Sequence, residues 1–277
     1  MAIFLGVCVA AFFGSGDFCG GLASKRLPTL VVLTLAQACA LVGALVCAFS
    51  FRGHAIGRDV GFGAAAGVLN LVGLGLLYHG LSIGRMGVVA PITAVVSAVI
   101  PVTYGTANGE RPSAAALTGV VCAIAAGGLI AAERREALVT GVRREVVLAV
   151  TAGLCFGASL VFYAETGEHS GFWPVLTARA VGLPLVVLAM LVTRTPRRGA
   201  RAGAPIALTA GLLDVAATAL LLVALREGLA SLVAPLAGLG PAFTVALAWI
   251  VLSEPIARLQ IVGLALGMTG IALIAVG

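Results

Sequence analysis

The second half of this chain repeats the first. A shift of 144 positions lays Val89-Ala90-Pro91 on Val233-Ala234-Pro235, Glu110 on Glu254, Gly67 on Gly211, Gly84 on Gly228 and Gly119 on Gly263. Without a gap, residues 62–132 and 206–276 share 16 identities in 71 positions. Each repeat carries five apolar segments. An odd number of crossings obliges the second repeat to sit upside down relative to the first. Inverted repeats are a common construction in membrane transport proteins, with the binding site between the halves near the bilayer midplane.

Composition identifies the solvent. Hydrophobic residues make up 61% of the chain and charged residues 10%, with a mean hydropathy of +1.14. Soluble domains are roughly 25% charged, and a bilayer-spanning helix needs about 20 mostly apolar residues. The 277 residues divide into ten such spans, near 2–22, 28–49, 60–82, 87–107, 114–132, 146–166, 172–193, 204–225, 229–251 and 257–276. The expected fold is all-α and integral to the membrane, with ten transmembrane helices as two inverted five-helix repeats. The repeats are residues 1–132 and 146–277, joined by the loop 133–145. The first span reads as a retained helix rather than a cleaved signal: it has no basic leader, and Asp17 interrupts its apolar run.

The net charge of +6 does not point to nucleic acid, because the arginines sit singly or in pairs between apolar spans. The six cysteines (Cys8, Cys19, Cys39, Cys47, Cys122, Cys155) all fall within spans, without metal-ligand spacing, and read as small polarizable hydrophobes. No metal and no cofactor is expected. The odd-numbered connections hold 12 Lys and Arg and the even-numbered ones 4. The positive-inside rule then places the odd loops in the cytoplasm and both termini outside.

The stretch from Ala224 to Leu236, with Pro241, Trp249, Glu254 and Gly263, resembles the EamA-type family of the drug/metabolite transporter superfamily. The most family-like part is Trp249-Ile-Val-Leu-Ser-Glu254 followed by Leu259-Gln260-Ile-Val-Gly263. The first repeat is similar but more diverged, through Phe13-Gly14-Ser15, Gly109-Glu110 and Gly119. The resemblance covers essentially the whole chain in two copies. Two positions depart from the family pattern: Gln37 stands where many members have Arg, and Phe13 where many have Trp. The resemblance implies a central cavity walled by spans 1–4 and 6–9, with spans 5 and 10 peripheral. It also implies cytoplasmic termini, against the loop charges. The family carries amino acids, metabolites and drugs.

Ionisable side chains at the bilayer centre cost at least about 2.5–3.5 kcal/mol on insertion scales, so a chain that keeps one needs a reason. Asp214 lies mid-way along span 8, and its repeat partner is Asn70 in span 3. It reads either as a proton- or substrate-coupling carboxylate or as a structural partner of Arg179. Arg179 lies in span 7, with Gln37 of span 2 as its repeat partner. It either pairs with Asp214 or holds an anionic group, which its planar fork suits. Asp17, eight residues or roughly 12 Å of helix before Lys25, is a cavity residue or a partner of Lys25 and Arg26. Tyr78 and His79 end span 3, and His79 could titrate near neutral pH. Glu110 and Glu254 recur at equivalent span ends, where a carboxylate favours the start of the next helix. Pro91 and Pro101 in span 4, and Pro235 and Pro241 in span 9, are the gating candidates, since proline frees a carbonyl inside a helix.

The chain reads as a secondary active transporter, an exporter of a small metabolite, amino acid or drug, working by alternating access with proton coupling. Its partners would be a small-molecule substrate and the lipid bilayer, not nucleic acid, with the chain a monomer or dimer. With three Tyr and two Trp, the cavity has few large aromatic anchors, which favours a small amphipathic substrate over a bulky planar drug. A non-transporting sensory or lipid-binding membrane protein is the alternative. An intramembrane serine protease is the enzyme rival, with Gly157-Ala158-Ser159 as nucleophile motif and His79 or His169 as base, but Leu160 stands where a second glycine would be expected.

Overall fold

The structure is a computed structural model that describes residues 2–51, 53–107, 113–132, 142–196, 200–226, 240–253 and 258–276. These residues form ten α-helices and no strand. The helices are α1 (Ala2–Ser24), α2 (Thr29–Ser50), α3 (Gly57–Ile83), α4 (Met86–Ala107), α5 (Ala114–Ala132), α6 (Val142–Ala164), α7 (Trp173–Val192), α8 (Ala200–Arg226), α9 (Gly240–Leu252) and α10 (Arg258–Val276). Their limits follow local chemistry. Pro28 immediately precedes α2, Pro174 occupies the first turn of α7, and Gly84 closes α3. Each is a residue that suits its end. Ser113 starts α5 by accepting the Ala115 N–H at its side-chain oxygen, at 3.1 Å. Glu110 and Glu254, expected to serve such starts, lie outside the described residues.

Among the described residues, six helices are long and apolar enough to cross a membrane: Val7–Ser24, Thr29–Ser50, Gly57–Ile83, Arg144–Tyr163, Trp173–Val192 and Gly203–Leu220. Shorter apolar stretches occur at Met86–Ser97, Gly240–Leu252 and Ile261–Gly270. The outward faces carry large apolar side chains in the open, such as Val46, Phe49, Leu188, Val192, Leu212 and Ile250. An apolar exterior of this extent suits a lipid solvent. With its several apolar spans the chain is a multi-pass membrane protein.

The packing pairs recur under the sequence repeat. Helix α1 packs on α8 as α6 packs on α3; α2 packs on α8 as α7 packs on α3; α1 packs on α9 as α6 packs on α4. Helices α2 and α7 pack on each other, as do α5 and α10. The tightest crossings match residue by residue. A Cβ on Gly67 of α3 would lie 2.5 Å from the Ala178 Cα of α7, and one on Gly211 of α8 would lie 2.8 Å from the Ala36 Cα of α2. Gly67 and Gly211 are equivalent in the repeat, so one close backbone approach has been built twice. Small residues let backbones approach where lipid supplies no hydrophobic drive between helices.

The contacts also fix helix directions. Helices α2 and α7 run antiparallel: Thr34 meets Met190, Gln37 meets Arg179, and Phe49 meets Trp173. Helices α3 and α6 run antiparallel, from the Ser159 hydroxyl on the Ala66 carbonyl at 3.0 Å to Gly84 beside Glu145. Helices α2 and α8 run parallel, with Leu27 beside Gly203, Ala36 beside Gly211 and Gly43 beside Val215.

These registers sort the connections. The turns after α1 and α3 and the starts of α6 and α8 gather at one end, which therefore holds Lys25, Arg26, Arg85 and Arg144. The opposite end is tied together by polar contacts. Asp59, buried at the start of α3, accepts the Gly167 N–H at 3.2 Å and a short hydrogen bond from the Ser170 hydroxyl. Glu165 takes Arg58 at 3.3 Å and the Tyr104 hydroxyl at 2.9 Å, and the Trp173 indole donates to the Gly53 carbonyl at 3.2 Å. Removing the Asp59 carboxylate orphans the Gly167 N–H and takes one of two acceptors from the buried Ser170 hydroxyl, which keeps the Gly167 carbonyl at 2.7 Å. Asp59→Ala should therefore destabilise the folded protein by about 1–3 kcal/mol, whereas Arg58→Ala, which breaks an exposed ion pair, should cost less than about 1 kcal/mol. Thermal unfolding in detergent compares the two, and equal effects would show that the Asp59 clamp carries no special weight.

Candidate functional site

Four polar side chains from four helices meet inside the bundle. Arg179 of α7 is 6% exposed, and its Nη2 donates to Asp214 Oδ2 of α8 at 2.5 Å. Its Nη1 donates to Gln37 Oε1 of α2 at 3.2 Å and lies 3.4 Å from Asn70 Oδ1 of α3. The Nε of the same guanidinium is buried with no hydrogen-bond partner among the described residues. Burial of an arginine requires this company, because an unpaired guanidinium in a low-dielectric interior is very costly. The fork geometry lets one cation serve three acceptors.

The members of this cluster are repeat-equivalents. Asn70 corresponds to Asp214 at a shift of 144, and Gln37 to Arg179 at a shift of 142, the same shift that relates Ala36 and Ala178 at the matching glycine crossings. Each half thus contributes the same two positions, as neutral amides from the first half and as an ion pair from the second. The lock between halves is a charged donor on two neutral acceptors. The lock within the second half is the ion pair.

Asp17 approaches from α1. Gly16, next to it, packs against Ala210 and Asp214 of α8, and Gly20, one helical turn on, packs against the tip of the Tyr78 ring. The Asp17 carboxylate interacts electrostatically with Asp214 and with Tyr78. Among the described residues it has no hydrogen-bond or ion-pair partner. Lys25 and Arg26 are exposed beyond the end of α1. Tyr78 is 2% exposed and lies within electrostatic reach of both acids and of Arg179. Tyr163 of α6, which no sequence pattern singles out, also interacts electrostatically with Arg179 and Asp214. His79 is half-buried, and no hydrogen bond or ion pair joins it to this group among the described residues.

The proline candidates separate. Pro91 is buried within α4, and Pro101 lies in the same helix. Pro241 is the second residue of α9, a position that tolerates proline without a kink. Pro235 lies outside the described residues. Pro184 and Pro205 are interior to α7 and α8. The serine considered as a nucleophile is held otherwise: Ser159 is buried and its hydroxyl donates to the Ala66 carbonyl, not to a histidine. That hydrogen bond joins α6 to α3 and explains the residue as packing.

A buried ion pair braced by two amides, with a second acid in electrostatic contact, lies inside this bundle of apolar helices. Residues 143–276 match the model of the EamA-like transporter family. It is a family of transporters rather than enzymes. The chain is also similar to an uncharacterized protein of Methanocaldococcus jannaschii, at 28% identity over 131 residues. That match takes in 47% of this chain and 96% of the relative. The relative is thus about as long as one of the repeats read from this sequence.

Proposed function

We propose that the protein is a secondary active transporter, exporting a small metabolite, amino acid or drug across the cytoplasmic membrane by alternating access. Two inverted five-helix repeats, residues 1–132 and 146–277 joined by 133–145, form the moving halves. Inversion is supported by helix direction: α2 and α7 are equivalent in the repeat yet run antiparallel, which two repeats of the same orientation would not give. The observation that carries the function is the cluster of Gln37, Asn70, Arg179 and Asp214, two repeat-equivalent pairs joined across the interface between the halves. Polar groups this deep in a membrane protein mark substrate and ion pathways. Asp17, Tyr78 and Tyr163 complete the wall on the α1, α3 and α6 sides. Pro91 and Pro101 are the bending points proposed for α4, and Pro235 is the repeat-equivalent of Pro91; Pro241, in the first turn of α9, bends nothing and drops out as a gate.

Purified protein reconstituted in liposomes should move a solute against its concentration gradient when a proton gradient is imposed. Ligand screening by thermal stabilisation identifies the solute, since binding to the native state raises apparent stability. Solute movement that only ever follows its own gradient, with any ion gradient imposed, would rule out secondary active transport.

A further inference from the structure

We propose that the polar contacts around Asp59 form a gate latch. It is a reciprocal lock between the halves that holds this end of the bundle shut and releases when the halves rock. The proposal rests on the transporter reading, which is what sets the halves in motion.

Each half supplies one acid and the donors to the other's acid. Asp59, from the first half, accepts the Gly167 N–H at 3.2 Å and the Ser170 hydroxyl from the second. Glu165, from the second half, accepts Arg58 at 3.3 Å and the Tyr104 hydroxyl at 2.9 Å from the first. Two backbone carbonyls complete the lock. Gly53 takes the Trp173 indole N–H at 3.2 Å, and His169 takes the His54 N–H at 3.0 Å. The halves cannot part at this end without breaking these bonds. The exposed Arg58–Glu165 pair contributes little. The buried Asp59 carries the weight, because a carboxylate stripped of its donors is stranded until water replaces them. Opening to the aqueous phase supplies that water, so the lock is firm when shut and releasable once parted.

The repeat has not built this lock twice. A shift of 144 lays Arg58 on Ala202, Asp59 on Gly203, Tyr104 on Ala248 and Glu165 on Gly21. At a shift of 142, Glu165 falls on Ala23. Every charged or phenolic member thus has a small apolar counterpart. At the other end Gly203 packs on Leu27, whose Cδ1 would lie 2.5 Å from a Cβ placed there. Apolar contact is non-directional, whereas hydrogen bonds demand one geometry. Two inverted halves of equal chemistry would close either end equally well. The latch breaks that balance and favours closure at the Asp59 end.

A native reporter lies beneath the latch. Cys47 of α2 packs, with Trp173, on the cluster of Ala44, Ala48, Phe172, Val175 and Leu176. A steric wedge is also at hand. A Cβ on Gly53 would lie 2.9 Å from the Ser170 carbonyl oxygen and 3.0 Å from the Gly171 Cα, whereas one on Gly57 meets nothing within 4 Å.

The test labels full-length protein in lipid nanodiscs with a charged, membrane-impermeant maleimide and reads each cysteine by mass spectrometry. Asp59→Asn replaces the charged acceptor with an amide, and Gly53→Leu wedges the same surfaces apart. Each should raise the labelling rate of Cys47 by about tenfold, equivalent to about 1.4 kcal/mol. Gly57→Leu should leave that rate unchanged. Cys122 lies in α5, which packs on α10 and α4 away from the latch, and should keep its wild-type rate in all three variants. A joint rise at Cys47 and Cys122 would show that the contacts serve folding alone. Wild-type labelling of Cys47 in both Asp59→Asn and Gly53→Leu would show that the halves do not part here. Either result overturns the latch and leaves the transporter reading standing. The expected rise at Cys47 alone, in a protein that moves no solute in liposomes under any imposed ion gradient, would count against the transporter reading and not against the lock.

Discussion

Asp214→Ala should be among the most damaging single changes in the chain, at about 3–5 kcal/mol, because it leaves Arg179 buried and uncompensated. The loss would be read as a lowered melting temperature and reduced folded yield in detergent. Arg179→Gln combined with Asp214→Asn should recover most of that loss. It would place two amides opposite Gln37 and Asn70 and give the second half the chemistry the first already has. Gradient-driven transport should not return with the fold in the double variant, because the charge that divides the cluster between halves is gone. An Asp214→Ala protein that melts like wild type would show that water or a shifted Arg179 side chain satisfies the guanidinium, and would remove the energetic basis for the pair.

Gly67→Leu and Gly211→Leu should be comparably severe, at about 3 kcal/mol or more each, at or beyond the upper end for overpacking. Both would force a side chain into the backbone of the opposing helix, Ala178 in one case and Ala36 in the other, and backbone cannot turn aside as a side chain can. Gly57→Leu and Gly61→Leu on the same α3 helix provide the control. A Cβ at either position meets nothing within 4 Å, so both should be nearly silent. If Gly67→Leu is severe and Gly211→Leu mild, the two crossings are not mechanically equivalent.

The helices were legible in the sequence because they are apolar runs, six of the described ones of bilayer length, closed by glycine, proline or charge. Observed limits such as Thr29–Ser50 and Trp173–Val192 fall within a residue of those expected. The longer ends of α3, α6 and α8 are polar turns that hydropathy cannot assign to helix or loop. Arg179 and Asp214 were legible from their cost in a membrane, and Gln37 and Asn70 only through the repeat: neutral amides raise no alarm alone. The Asp59 clamp was not legible. Its partners Gly167 and Ser170 lie more than 100 residues away, and an acid in the first turn of a helix is ordinary. Tyr163 was missed because a tyrosine near a span end usually marks the interface.

The division of partners around Arg179 bears on speed as well as on stability. If the two halves rock against each other, the contacts that break are those to Gln37 and Asn70, which are neutral and exchangeable. The contact that persists is the one to Asp214, which travels with Arg179 on the same half. The guanidinium therefore never has to cross the moving interface stripped of its counter-ion, and the highest point on the path carries no bare positive charge. Had the acid been placed at Asn70 and an amide at Asp214, each cycle would have to separate opposite charges in a medium of low polarity. In such a rocking cycle, having both charges in one repeat would keep the barrier to switching low.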